Sequence, residues 1–425
     1  MRVSAIFSGL ASLMLAACVV DDDATTDSVT ESDLTVPDRI WVPNAFGASA
    51  TLSAENGVDT DSAFFADLGT NGRTCGDCHS LATGWSVTPL QLQLRFALSQ
   101  GHDAIFRLND GATSPRAAVA TFEDRRTAYR MLLDRGTIRV GMPMPANAEF
   151  ELVTVDDPYG YASAAELSLF RRPLPAANLR FNAVVMWDGR ETPAAGATLH
   201  DALAHQANGA TMGHAQGIAV EPGLLDEIVG FEVALTNAQV VSFTAGRLDG
   251  AAGRGGLTAL AEQPVVQGPM TLFDAWTTQP VASDRAAIAR GQVVFNTALD
   301  SAGGTCSGCH NVANVGTRFD GRLFNARVSK PELRKPEQPL YTFRRISTGE
   351  LRSTTDPGRA LVTGLWADMD RFKVPGLRAL AARPPYFHDG SAGTIEAVVR
   401  HYEAQLGFVL SDGQRTDLVA FLAAL

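Results

Sequence analysis

Two five-residue strings carry most of the chemistry written in this chain, Cys75-Gly76-Asp77-Cys78-His79 and Cys306-Ser307-Gly308-Cys309-His310. Two thiols three residues apart fit one helical turn, and the His directly behind them brings an imidazole to the same spot. Such a set serves a redox dithiol, half of a zinc site, a disulfide, or a haem whose vinyl groups take the thiols and whose iron takes the imidazole. A redox dithiol wants a preceding strand in a βαβ unit, whereas Thr70 to Thr74 and Ala302 to Thr305 read as loops. Zinc would require two distant strings to converge with ligands to spare, and a disulfide would leave both His residues idle. Covalent haem at each string accounts for all six residues, with Cys75, Cys78, Cys306 and Cys309 as attachment points and His79 and His310 as proximal iron ligands.

The chain has five cysteines, and the fifth lies far from these strings. Arg2 followed by an apolar run from Ala5 to Ala17 reads as a secretory signal too short to span a membrane. Leu15-Ala16-Ala17-Cys18 resembles a bacterial lipobox, with cleavage before Cys18 and lipidation of its thiol. The expectation is a signal peptide over 1–17, and a lipidated Cys18 with an acidic tether rich in Thr and Ser over 18–39. The protein is then exported and periplasm-facing, touching a membrane, the outer one, only through its lipid. A net charge of −11 over 425 residues argues against nucleic-acid binding and suits attraction of a basic redox partner.

The elements that must position the two strings are mostly helical. Ile288, Gly291 and Phe295 share one face of a helix over Asp284 to Asn296, and the missing side chain of Gly291 invites a close helix crossing. Its partner is the last helix, capped at Ser411 or Asp412, with Leu418, Val419, Phe421, Leu422 and Leu425 as its apolar stripe. Further helices fall around Leu90 to Ser99, Arg125 to Leu133 and Leu199 to Asn208, and Phe150 to Val155 alternates like a short strand. Thr244 to Gly268, rich in Gly and Ala, reads as a surface connection.

Beyond the paired strings, Trp187-Asp188-Gly189-Arg190-Glu191, Phe372 to Arg378 and Pro385-Tyr386-Phe387-His388-Asp389-Gly390 resemble the bacterial di-haem cytochrome c peroxidase family, which includes MauG-type oxidases. The resemblance runs from about residue 60 to the C-terminus, except for an insertion from about Gln100 to Ala176. It implies a mainly α fold of two cytochrome c-like domains, each with one covalent haem, and loop-rich insertions in the N-terminal half. The boundaries would be 40–243 for the first domain, 244–280 for a linker and 281–425 for the second domain. It also implies reduction of hydrogen peroxide at the N-terminal haem, with electrons from a small cytochrome c or cupredoxin collected at the C-terminal one. Trp187 matches the family's electron relay.

Two departures from the family pattern matter. The family places a proton-moving Glu a short way after a Gln-Ala pair; Gln206-Ala207 is present, but Asn208 to Val220 holds no carboxylate and Glu221 lies just beyond. His214 is the nearest titratable group, able to shuttle a proton or to ligate iron, with His205 and His200 as weaker candidates. For the second haem's sixth ligand, where the family offers Met or Tyr, the chain has His401 or Tyr402 according to the alignment, and Met369 in a looser segment. His388 is expected at a haem propionate. The family's calcium finds no ligand in Arg171-Arg172-Pro173-Leu174-Pro175, so calcium is left open but not predicted, as is pairing of two copies. Three functions remain in play: a peroxidase, a MauG-like oxidase of a partner protein, and a non-catalytic electron carrier.

Overall fold

The structure, a computed structural model, describes residues 39–54 and 57–425. The signal peptide, Cys18 and the tether up to residue 38 lie outside the described residues. Among those described, no helix is long and apolar enough to cross a membrane.

Helix takes up 34% and strand 16%, so the mainly helical expectation holds only in part. The helices foreseen at the C-terminal end are there. Asp284–Thr297 starts on Ser283, whose Oγ accepts the Ala286 N–H at 3.2 Å, and Asp412–Ala423 starts on Ser411, whose Oγ accepts the Gln414 N–H at 3.2 Å. They cross at Gly291, where a Cβ would overlap the carbonyl oxygen of Asp417. Ile288, Phe295, Leu418, Phe421 and Leu422 are buried there with Phe273 and Trp276, whose rings stack at 4.6 Å.

A second centre packs Phe64 edge to face on Phe65 and Trp85 and tilted on Phe231, with the Phe64 ring centre 6.3 Å from that of His79. Trp85 donates its indole N–H to Thr51 Oγ1 at 2.9 Å, which ties this cluster to the strand Gly47–Ser53. That strand pairs antiparallel with Arg39–Asn44 on one side and Leu235–Ser242 on the other.

The insertion is better ordered than its loop-rich reading implied. Phe150–Asp156, the predicted strand, pairs antiparallel with Leu340–Arg345 from the other half of the chain, which continues to Leu351–Thr354. Ile138–Met142 pairs with Leu167–Arg171. The helix expected over Arg125 to Leu133 is split into Phe122–Ala128 and Arg130–Arg135, and the one from Leu199 runs on to Gly213. Thr244 to Gly268 is only partly a surface connection, because Leu248, Leu257 and Leu260 are buried.

Buried charge joins these parts. Arg171 forks onto Asp356 at 2.7 and 2.9 Å and reaches Asp188 at 2.5 Å, and Arg190 reaches the same Asp188 at 2.9 Å. Burial alone would raise the Asp188 carboxyl, but the two guanidinium groups outweigh it and hold the acid down at about 2.

The helix crossing gives a paired test by thermal unfolding. Gly291→Val should cost about 2 to 3 kcal/mol, because two backbones must part to admit the side chain. Gly209→Ala, in a helix where a Cβ meets nothing within 4 Å, should instead stabilise by up to about 1 kcal/mol. Equal effects would overturn the close-approach account.

Candidate functional site

Each Cys-x-x-Cys string folds as one helical turn, Cys75–Cys78 and Cys306–Cys309, with a Thr in front. Thr305 Oγ1 accepts the Gly308 N–H at 2.9 Å. At the first turn Asp77 accepts the Thr74 N–H at 2.9 Å and is itself held by Arg95 at 2.6 Å. The backbone N–H of His79 bonds the Cys75 carbonyl, and that of His310 the Cys306 carbonyl, both at 2.9 Å.

The two imidazoles are then held alike. His79 Nδ1 lies 3.2 Å from the Trp85 carbonyl oxygen and His310 Nδ1 2.6 Å from that of Gly316, six residues onward in both cases. A carbonyl only accepts, so Nδ1 carries the proton and Nε2 keeps the lone pair that a metal would take. Burial lowers both imidazoles to about 4, which leaves them uncharged at neutral pH. Burial also pushes the Cys75, Cys78 and Cys306 thiols up to about 12 and raises Cys309, the opposite of what a redox dithiol needs. Among the described residues no three His, Cys, Asp or Glu side chains group closely enough to hold a metal ion, so the strings do not converge on a zinc site.

The first string opens on a large cavity with apolar walls from Leu68, Ile138, Val140, Leu174, Leu179, Val185, Leu203 and Ile228. Trp187, Gln206 and His214 all line it, together with Cys75, Cys78 and His79. His205 instead turns outward to Glu191 at 2.5 Å and His200 to Asp226 at 3.5 Å, so neither belongs to this site. Trp187 donates its indole N–H to the Arg172 carbonyl at 2.8 Å, and its ring centre is 6.2 Å from that of His388. His388 is buried, stacked on Phe372 at 4.0 Å and 3.7 Å from Asp356.

Arg172, Lys373 and Arg378 also line the cavity; each is buried, and no carboxylate among the described residues pairs with any of them. Their contacts are neutral. Lys373 Nζ reaches Asn182 Oδ1 at 3.1 Å, Arg172 the Val87 carbonyl at 2.8 Å and Arg378 the Gly256 carbonyl at 2.6 Å, while Arg378 Nε bonds nothing. Burial lowers Arg172 and Arg378 to about 9 and Lys373 to about 7. Apolar walls, a neutral imidazole, two thiols and unpaired cations together fit a haem with its propionates.

Two polar residues here escaped the sequence reading. Asp110, from the insertion, bonds His214 Nδ1 and pairs with Arg73. Glu232, on the helix Pro222–Ala234, is 6% exposed and lines the cavity with Oε2 unbonded; burial raises its carboxyl to about 8. Its signal was a lone acid in the apolar run Ile228 to Ala234. Glu221, the nearest acid considered from sequence, is not among the residues that line the cavity.

At the second string, Tyr402 is the residue turned toward the thiols. Burial and the proximity of Cys306 and Cys309 raise its phenol. His401 points elsewhere, with Nε2 2.8 Å from the Ala326 carbonyl oxygen. Met369 is buried in a different core, with Phe150, Tyr341 and Trp366, and offers no thioether to this site.

No protein-family model matches the chain. Cytochrome-c peroxidase IdrP2 of Denitromonas iodatirespirans is 33% identical over 135 residues, 29% of this chain and 36% of that protein. Cytochrome c peroxidase Ccp of Escherichia coli (strain K12) is 29% identical over 250 residues, 58% of this chain and 46% of the relative. Methylamine utilization protein MauG of Methylophilus methylotrophus is 27% identical over 280 residues, 62% and 70% of the two chains. The chain spans 36 to 46% of the length of the first curated relatives it matches. A solved MauG-like protein associated with microbial copper homeostasis aligns over 92% of this chain and 94% of its own at 15% identity, with a TM-score of 0.41, a likeness too loose to carry an argument. On the sequence matches, the curated proteins that this chain resembles are bacterial cytochrome c peroxidases and MauG proteins, the di-haem family.

Proposed function

We propose that this chain is an exported di-haem c-type cytochrome that reduces hydrogen peroxide with electrons from a small cytochrome c or cupredoxin. The observation that carries the reading is the first cavity, lined on one hand by the neutral His79 and on the other by His214. The chain would divide into an N-terminal cytochrome c domain over 40–243, a connection over 244–280 and a C-terminal domain over 281–425, each with one covalent haem. Lipid on Cys18 would hold it at the outer membrane, facing the periplasm.

Haem bound there supplies the redox-active iron that peroxide reduction requires. The overall reaction takes two electrons from the donor and two protons, and releases two waters. This chain's residues must move the protons. His214 can take a proton at Nε2 from one peroxide oxygen and return it to the other, the work that a Glu performs in the resembled family. Gln206, on the cavity-lining side of Leu199–Gly213, can hold the substrate by hydrogen bonds. Arg172, Lys373 and Arg378 would pair with propionates. Trp187 touches both the cavity and the His388 segment, which supports an electron-relay role.

Tyr402 favours a second reading, MauG-like oxidation of a partner protein, because a phenolate stabilises ferric iron where a thioether would not.

Reduced pyridine haemochrome should count two haems per chain. The ferrous protein should bind carbon monoxide, and peroxide should be turned over with a reduced cytochrome. A protein that shows neither carbon monoxide binding nor turnover is a closed electron carrier, and the peroxidase reading goes. Tyr402→Phe should change the ligand signature of one haem in electron paramagnetic resonance while His401→Ala leaves it intact; the reverse pattern would exclude Tyr402. Glu232 is protonated in the folded chain and ionised in the unfolded one between about pH 4.5 and 8, so its contribution is whole below that window and is lost as pH rises through it. Glu232→Gln should therefore flatten the melting temperature across those pH values, as followed by circular dichroism, and an unchanged slope would contradict the buried neutral acid.

A further inference from the structure

The insertion from about Gln100 to Ala176 supplies part of the first cavity's wall, and its turn around Asn109 and Asp110, outside that wall, meets the cavity-lining His214. Asp110 is 5% exposed, and its carboxylate meets two partners, His214 Nδ1 and the Arg73 guanidinium, itself 3% exposed. Arg73 stands two residues before Cys75 and is stapled to the same inserted loop, donating to the Ala104 carbonyl at 3.0 Å and to the Ile105 carbonyl at 2.6 Å. The turn is braced from behind as well, since the Arg139 N–H donates to the Asp110 carbonyl at 2.7 Å and its guanidinium to the Asn109 carbonyl at 3.0 Å.

His214 is fixed at its other end by the same parts. Its carbonyl accepts from Asn71 Nδ2 at 2.7 Å, Asn109 Nδ2 at 3.2 Å and Arg73 at 3.3 Å. A histidine needed merely at a surface has no use for three donors on its carbonyl and a buried carboxylate on its ring. Because a carboxylate accepts, Nδ1 must carry the proton, and Nε2 is the nitrogen left for the cavity that His214 lines.

We propose that Asp110 is a positioning residue: it locks His214 in the Nδ1–H tautomer with Nε2 presented to substrate, so that the insertion supplies half of an acid–base dyad standing where the family's Glu would be. The proposal rests on His214 being the proton-moving group of the peroxidase reading. The dyad stabilises the imidazolium that forms when Nε2 takes a proton, and Arg73 keeps the carboxylate ionised throughout. Burial pushes the Asp110 carboxyl up, but bonds from His214 and Arg73 outweigh it and hold the acid below its ordinary range. The charged and titratable groups facing His214 are Asp110, Arg73 and, across the cavity, His79.

The test uses the full haem-loaded chain. Asp110→Asn and His214→Gln should each lower kcat on the order of 10²-fold with KM little changed, and the double variant should be no slower than the worse single. Asp110→Glu should recover part of the loss. Both single variants should also shift the C–O stretch of the ferrous carbon monoxide complex in the same direction, a readout independent of peroxide turnover. If His214→Gln alters kcat and the C–O stretch while Asp110→Asn, with two haems counted, alters neither, Asp110 does not position His214. If neither His214→Gln nor Asp110→Asn alters kcat but both shift the stretch, the dyad stands and the peroxidase reading falls. Should Asp110→Asn fail to load haem, Asp110→Glu decides instead: it should load two haems with a kcat and a C–O stretch between those of the wild type and of His214→Gln, and wild-type values of both would mean that Asp110 does not position His214.

Discussion

A cation taken out of water must find an anion, lose its proton or be surrounded by dipoles, and this fold places three buried cations around one cavity with no carboxylate among the described residues paired to them. Arg172, Lys373 and Arg378 come from opposite halves of the chain, so the cavity wall exists only once both halves are folded together. Carbonyl oxygens and one amide solvate them in part. The neighbouring residue shows the other solution. Arg171 precedes Arg172 at the end of the strand Leu167–Arg171, and both line the cavity. Arg171 is neutralised within the protein by Asp188 and Asp356, while Arg172 meets only backbone carbonyl oxygens among the described residues.

The same segments set the rest of the site. The Arg172 carbonyl accepts the Trp187 indole N–H, and the Lys373 N–H donates to the Trp187 carbonyl at 2.8 Å. Trp187 is thus held at its indole by the Arg172 backbone and at its own carbonyl by the Lys373 backbone. Its ring meets that of His388, which stacks in turn on Phe372.

What could be read from the sequence follows the distance over which each interaction acts. The Cys-x-x-Cys-His turns, the Ser-capped helices and the crossing at Gly291 rest on neighbours within a turn or two, or on a pattern repeated along one helix face, and all were legible. His214 was legible as the titratable group nearest the expected acid. Its partner was not, because Asp110 lies 104 residues earlier and arrives from a segment with no counterpart in the pattern. Glu232 was hidden for a different reason: an acid in an apolar helix reads as surface unless the occupant of the next face is known. The choice between His401 and Tyr402 is one residue of helical phase, about 100 degrees, which only the packing of Ile395–Leu406 decides.

The pairing of Phe150–Asp156 with Leu340–Arg345 also bears on how the molecule can be taken apart. The residues 281–425 look self-contained in sequence, with their own haem string and their own first and last helices. Expressed without the insertion, however, they would carry Leu340–Arg345 with one full row of backbone donors and acceptors unpaired. Tyr341 and Phe343, fully buried in the intact chain, would stand open beside that row. Such an edge invites strands from other molecules, so the C-terminal half is prone to aggregate by itself, and the insertion acts as its built-in edge guard.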